Sequence, residues 1–324
     1  MNYEFGFGGG FGVIQDTMEG RLLEAFSYAI GADVQGYLDD PNVMEIMLNP
    51  DGKLWVDSFG KGCEDTKIFI NPIKAEQVIR LVATHTGEEC DEDHPILSAE
   101  LPGNGSRFQG MLPKVVAAPT FAIRKKATRI FTLDDYVLHN MMTERYKEII
   151  VQAVWDKLNI LVVGGTGSGK TTLCNAILQE ISKMGGRIIL IEDTLELQCT
   201  AENKVPMRTR PGSTMSDLVK SSLRMRPDWI IVGEVRGAEA LDLCSSWTTG
   251  HSGLGTLHSN SAKGGLSKLQ QYISRVVVTP QKELIGEAVD MVVFIERYGN
   301  GRRVKEILRV HEFDGEKYVT EDVV

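Results

Sequence analysis

One octapeptide constrains this chain more than any other feature: Gly164-Gly165-Thr166-Gly167-Ser168-Gly169-Lys170-Thr171. It fits the pattern G-x-x-x-x-G-K-[ST], whose chemistry works only between a buried strand and the first turn of a helix. Glycines let successive backbone N–H groups turn inward around phosphate oxygens, and the helix N-terminus adds the positive end of its dipole. The neighbouring residues supply both elements. Ile160–Val163 is a continuous apolar run of the kind that forms a strand covered on both faces, and Leu173, Ile177 and Ile181 recur at helical spacing beyond the loop. Gly165, Thr166, Gly167, Ser168, Gly169, Lys170, Thr171 and Thr172 are therefore the predicted nucleotide contacts. Lys170 is placed to reach the β- and γ-phosphates, and Thr171 to give its hydroxyl to Mg²⁺.

Further apolar runs, Ile188–Ile191, Trp229–Val232 and Met291–Ile295, alternate with helical segments beyond Asn159. That alternation predicts an α/β domain with a largely parallel sheet, and ligands of such sheets sit at the carboxyl ends of the strands. Two strands end there in carboxylates. Trp229–Val232 runs into Gly233-Glu234, and Glu234 is the candidate for activating the attacking water. Ile188–Ile191 runs into Glu192-Asp193, of which Glu192 is the candidate for ordering the metal and its waters. His251 and His258, set among Gly and Thr just after the Glu234 strand, could each reach the γ-phosphate and pass its loss to the backbone, with His258 the candidate catalytic residue. A guanine-reading Asn-Lys-x-Asp is missing: Asn203-Lys204-Val205 is followed by Pro206.

The remainder organises around that domain. Residues 1–17 are rich in Gly and Phe and read as a flexible arm. Residues 18–126 mix helical and strand patterns and read as a smaller α+β domain. Within it, Asn49-Pro50-Asp51-Gly52 signals a turn between strands. Asn71-Pro72 opens a helix with Ile73, Val78, Ile79 and Val82 as its apolar stripe and Gly87 at its end. Glu88–Asp93 reads as a solvated acidic loop. Residues 127–142 read as a linker carrying a capping box from Thr132 to Asp135, and 143–324 as the phosphate-loop domain. The formal charge of −9 counts against a protein that grips nucleic acid through its phosphates. Five scattered cysteines without a CxxC pair fit neither a zinc site nor a disulfide framework and point to a reducing cytoplasm. The longest apolar runs are far short of the roughly 20 residues of a bilayer span.

The phosphate loop, Glu192-Asp193, Gly233-Glu234 and Gly250–His258, in this order, resemble the phosphate loop, aspartate box, Walker B end and histidine box of the traffic ATPases of type II and type IV secretion systems and type IV pili. The likeness is greatest to the conjugal-transfer, TrbB-like branch. It is carried by Met47–Gly52, Val115–Lys125, Phe131–Tyr136 and Gly233–Ala240, and the four-cysteine insertion of the type II branch is absent. The resemblance implies an N-terminal domain hinged to a RecA-like C-terminal domain with ATP between them, in a homohexameric ring. It implies a cytoplasmic Mg-dependent ATPase at the inner membrane, docked through other secretion or conjugation proteins and without direct sequence-specific nucleic-acid binding. Arg107, Arg124, Arg208, Arg210, Arg224 and Arg226 are then candidates to reach phosphate across a domain or subunit boundary, with Arg124 and Arg224 foremost. The competing readings are a RecA-like nucleic-acid translocase and a type IV pilus assembly or retraction motor.

Overall fold

A computed structural model describes residues 18–125 and 129–323 of the chain. The arm assigned to residues 1–17 lies outside the described residues, as do the junction residues 126–128. The chain divides into two compact units, Met1–Thr128 and Arg129–Val324.

The first unit begins with helix α1 (Met18–Asp39), interrupted at Gly31. Six strands follow: β1 (Val43–Leu48), β2 (Lys53–Ser58), β3 (Gly62–Phe69), β4 (Ile96–Glu100), β5 (Arg107–Met111) and β6 (Thr120–Arg124). They form one antiparallel sheet in the order β3-β2-β1-β6-β5-β4. Gly52 closes the β1–β2 turn by donating its N–H to Asn49 O at 2.9 Å. Helix α2 (Pro72–Thr86) sits between β3 and β4, and Asn71 Oδ1 accepts the N–H of Lys74 at 2.8 Å. Such an N-cap contributes about 1 kcal/mol. Gly87 ends the helix at φ 71°. The buried stripe of α2 is Ala75, Val78, Ile79, Val82 and Ala83. Ile73 is not part of it and is 79% exposed, because the first-turn position falls off the 75/78/79/82 face. One apolar core joins α1, α2 and the sheet, with Phe26, Ile30, Ile46, Leu54, Ile79 and Ile123 at its centre.

Residues 129–142, assigned above to a linker, pack with the second unit and hold helix α3 (Leu133–Leu138). The reason is burial: Phe131, Leu133, Tyr136, Met141 and Met142 are all inside. The capping box forms as its sequence requires, with Thr132 and Asp135 exchanging side-chain and backbone bonds. Helix α4 (Glu144–Trp155) follows and buries Ile150, Ala153 and Val154.

Then come β7 (Ile160–Gly164), α5 (Lys170–Lys183), β8 (Ile188–Glu192), β9 (Lys204–Arg208), α6 (Met215–Ser222), β10 (Trp229–Val232) and α7 (Glu239–Trp247). β11 (Ser252–His258), α8 (Ala262–Ile273), α9 (Lys282–Ala288), β12 (Met291–Tyr298), β13 (Gly301–Phe313) and β14 (Tyr318–Asp322) complete the unit. The sheet order is β14-β13-β12-β7-β11-β10-β8-β9. From β12 to β9 all neighbours are parallel, and β13 and β14 extend that sheet as antiparallel strands. Every residue of β7, β8 and β10 is buried, as continuous apolar strands under helices on both faces demand. This parallel order brings the carboxyl ends of β7, β8, β10 and β11 to one edge. Among the described residues no helix is long and apolar enough to cross a membrane.

Candidate active site

The phosphate loop leaves β7 at Gly164 and enters α5 at Lys170. Gly167 and Gly169 take φ of +66° and +93°, which side chains larger than glycine rarely adopt. The loop is closed on itself by Ser168 N–H donating to Gly165 O. The Ser168 hydroxyl is buried with no hydrogen-bond partner among the described residues, an arrangement that costs free energy unless a ligand or solvent completes it. Lys170 is 7% exposed, and its Nζ donates to Gly165 O at 3.0 Å and lies 3.2 Å from His258 Nδ1.

That second contact fixes the state of the histidine. An ammonium only donates, so Nδ1 accepts and the ring proton resides on Nε2. Burial holds the His258 pKa below its usual 6.5, and the neighbouring Lys170 charge pushes the same way, so the ring is neutral at neutral pH. Nε2 in turn lies 2.7 Å from Glu234 Oε1. The angle there is too oblique for a well-formed hydrogen bond, and Oε1 is buried without an aligned donor among the described residues. The other oxygen, Oε2, accepts from Arg236 Nη2 at 2.5 Å, and Arg236 Nη1 reaches Asp193 Oδ2 at 2.6 Å. Glu234, first, and Asp193 together raise the Arg236 pKa. A continuous polar chain thus runs Lys170–His258–Glu234–Arg236–Asp193 along the strand ends.

Local structure holds each member. Thr256 Oγ1 donates to Gly233 O, and Val235 N–H donates to Thr256 O at 2.8 Å, tying the end of β10 to β11. Glu239 Oε1 accepts the N–H groups of Arg236 and Gly237, which sets the turn before α7. Glu192 is 3% exposed, and its Oε1 accepts the N–H groups of Glu196 and Leu197, both at 2.8 Å. Its pKa is raised by burial, against those two bonds. Glu192 therefore anchors the loop after β8 as well as standing at the sheet edge. No cluster of three or more His, Cys, Asp or Glu side chains suited to a metal occurs among the described residues.

Residues 93–296 match the family described as type II/IV secretion system protein. The chain is 45% identical over 304 residues to a probable conjugal transfer protein TrbB of Sinorhizobium fredii, covering 93% of both chains. It is 30% identical over 280 residues to the type IV secretion system protein VirB11 of Bartonella henselae, covering 73% of this chain and 78% of that one. The chain belongs to the type II/IV secretion system protein family. The X-ray structure of the Legionella pneumophila ATPase DotB shares its fold, with a TM-score of 0.58 at 18% identity over 89% of this chain and 78% of that one.

Within this family member, the structure gathers Lys170, Glu234, His258 and Asp193 into one network and leaves other candidates apart. His251 precedes β11 while His258 ends it, so about 20 Å of buried strand separates the two rings at roughly 3.3 Å per residue. His251 instead approaches Thr249 Oγ1 at the amino edge of the sheet. β11 thus holds the two histidines at its opposite ends. Arg224 lies on the exposed 3-10 turn after α6 and takes no part in the network, Arg210 and Arg226 are exposed as well, and Arg208, also exposed, donates its Nε to the backbone carbonyl of Asp193 at 3.2 Å. Arg107 and Arg124 belong to the first unit, directly opposite each other on β5 and β6. Glu45 and Glu100 flank them in register, so the row across the sheet reads Glu45–Arg124–Arg107–Glu100. This row lines a cleft of about 990 Å³ within the first unit, which does not include the phosphate loop. Sequence reasoning missed Arg236 as a partner of Glu234. The signal was present in its position two residues beyond Glu234, which on an irregular turn allows the side chain to fold back.

Proposed function

We propose that this protein is a Mg-dependent ATPase subunit of a homohexameric ring that powers conjugative pilus assembly and substrate transfer in a type IV secretion system. The observation that carries the catalytic part is Glu234. Its Oε1 is buried without an aligned donor in the middle of a polar chain that begins on the phosphate-loop lysine.

In this reading Lys170 Nζ exchanges the Gly165 carbonyl for β- and γ-phosphate oxygens, while the loop N–H groups hold the same phosphates. Glu234 Oε1 accepts the proton of the attacking water. Arg236 keeps the opposite oxygen neutralised and the carboxylate oriented, and neutral His258 couples Glu234 to Lys170, so a change at either is felt by the other. A magnesium ion held by the Thr171 hydroxyl, with Glu192 behind it, would supply charge neutralisation for the phosphate oxygens. Arg124 and Arg224 are candidates to complete a site from another domain or subunit. Family membership supports a place in the secretion machinery, with peripheral attachment to the inner membrane through partner proteins from the cytoplasmic side.

Substituting Lys170→Ala tests the nucleotide reading. We expect loss of ATP turnover with an unchanged circular-dichroism spectrum. Turnover at the wild-type rate would remove Lys170, and with it the phosphate-loop mechanism.

A further inference from the structure

The tip of the β12–β13 hairpin carries two arginines to which the site described above assigns no role. Arg297 and Arg302 are directly opposed partners in the antiparallel register, so both side chains leave the same face of the hairpin. That face meets the phosphate loop. Arg297 Nε donates to Gly167 O at 3.3 Å, and Arg302 Nε donates to the same carbonyl at 3.1 Å. The fit is steric as well as polar. A Cβ on Gly167 would run into the Arg297 guanidinium, and one on Gly169 would meet Arg302 Cδ at 2.9 Å. The hairpin fills the space that these two glycines leave.

The Arg297 guanidinium brings a full positive charge to one neutral carbonyl, and Arg302 on the same oxygen adds like charge at a range where the two repel. In a chain with 44 acidic residues, Arg297 has no carboxylate partner among the described residues. An anion with several oxygens suits this arrangement, since arginine presents its donors in a planar fork matched to phosphate. The sheet order says which part of the anion. β12 flanks β7 on one side, while β11 and β10, which carry His258 and Glu234, flank it on the other. The arginine pair and the hydrolytic carboxylate therefore face the loop from opposite sides. A terminal phosphoryl group attacked beside Glu234 leaves the inner phosphates on the arginine side.

We propose that Arg297 and Arg302 bind the diphosphate portion common to ATP and ADP, making the C-terminal hairpin a nucleotide-retaining element. This rests on the ATPase reading above. It assigns the two arginines to affinity and product retention, and not to the chemical step. Their side chains are exposed or half-exposed, so their removal spares the core.

The test is calorimetric binding of ADP and of inorganic pyrophosphate, with Mg²⁺, to full-length wild type, Arg297→Ala, Arg302→Ala and Arg297→Lys, alongside steady-state ATP turnover. Each alanine variant should weaken ADP and pyrophosphate by about tenfold, the scale of one charge-assisted hydrogen bond. KM for ATP should rise by a similar factor with kcat within about threefold of wild type, and Arg297→Lys should recover part of the loss. Unchanged binding overturns the proposal. So does a fall in kcat at unchanged affinity, the mark of a purely structural support for the loop. A loss confined to ADP, with pyrophosphate unaffected, overturns it in favour of a base or ribose contact. A wild-type protein that binds neither ADP nor ATP defeats the ATPase reading itself, and is told apart by that control.

Discussion

His258 shows how much one residue's surroundings decide. In sequence it is one of two histidines in the same Gly- and Thr-rich stretch, and the one put forward there as the catalytic candidate. In the structure one end of β11 places it between Lys170 and Glu234, and the other end takes His251 away from both. Strand length, which residue spacing alone encodes only once the strand is recognised, makes the difference. Its depressed pKa also has a consequence for stability. The folded state binds the His258 proton less readily than the unfolded chain, so the stabilisation is complete above the unfolded value of 6.5 and is lost as pH falls below it. Urea midpoints of wild type and His258→Gln measured from pH 8 to pH 5 should therefore diverge. Wild type should lose the larger share of its stability on the acid side of pH 6.5, and parallel curves would show that His258 is not held neutral. The positions of Glu234, Lys170 and Glu192 in the fold were legible because strand ends and a loop motif mark them. The contacts of Arg236, Arg297 and Arg302 were not, because they come from a turn and a hairpin whose geometry no short pattern records.

At the scale of elements, the buried parallel strands were readable as apolar runs, and so was α2 from its cap and periodicity. The elements that escaped are the ones whose residues alternate or mix with charge. β9 runs exposed and half-exposed by turns, β13 carries charged residues along its length, and β14 ends in Glu321 and Asp322. Residues 129–142 escaped because a short helix between turn signals resembles a linker until its aromatic residues are seen to be buried. β11 shows what its glycines are for. Gly253 leaves room for the indole of Trp247, which is 3% exposed, and a Cβ there would overlap the ring. Overpacking at such a site costs about 1–3 kcal/mol. Gly253→Ala should lower the stability of the protein by that amount in urea denaturation, since the central strand cannot move away from β7 and β10 without breaking both ladders. A variant as stable as wild type would mean that Trp247 repacks freely.

For the whole molecule, the chain forms two units with separate cores. The second holds the phosphate loop, Glu234 and the hairpin arginines. The first contributes a six-stranded sheet with paired arginines on one face. Sequence reasoning reached the α/β class and the family because a few motifs lie at strand ends in a fixed order. It could not place the first-unit arginines, since register across an antiparallel sheet depends on turn geometry between distant strands. The central claim is that Glu234 takes the proton of the attacking water within an assembled ring. The direct test is steady-state Mg-ATP turnover of wild type and Glu234→Gln, measured on size-separated fractions of each. The account predicts that wild-type activity resides in the six-chain species, and that Glu234→Gln forms the same species, binds ATP and turns over at least about 100-fold more slowly. Wild-type turnover by Glu234→Gln in that fraction would contradict it.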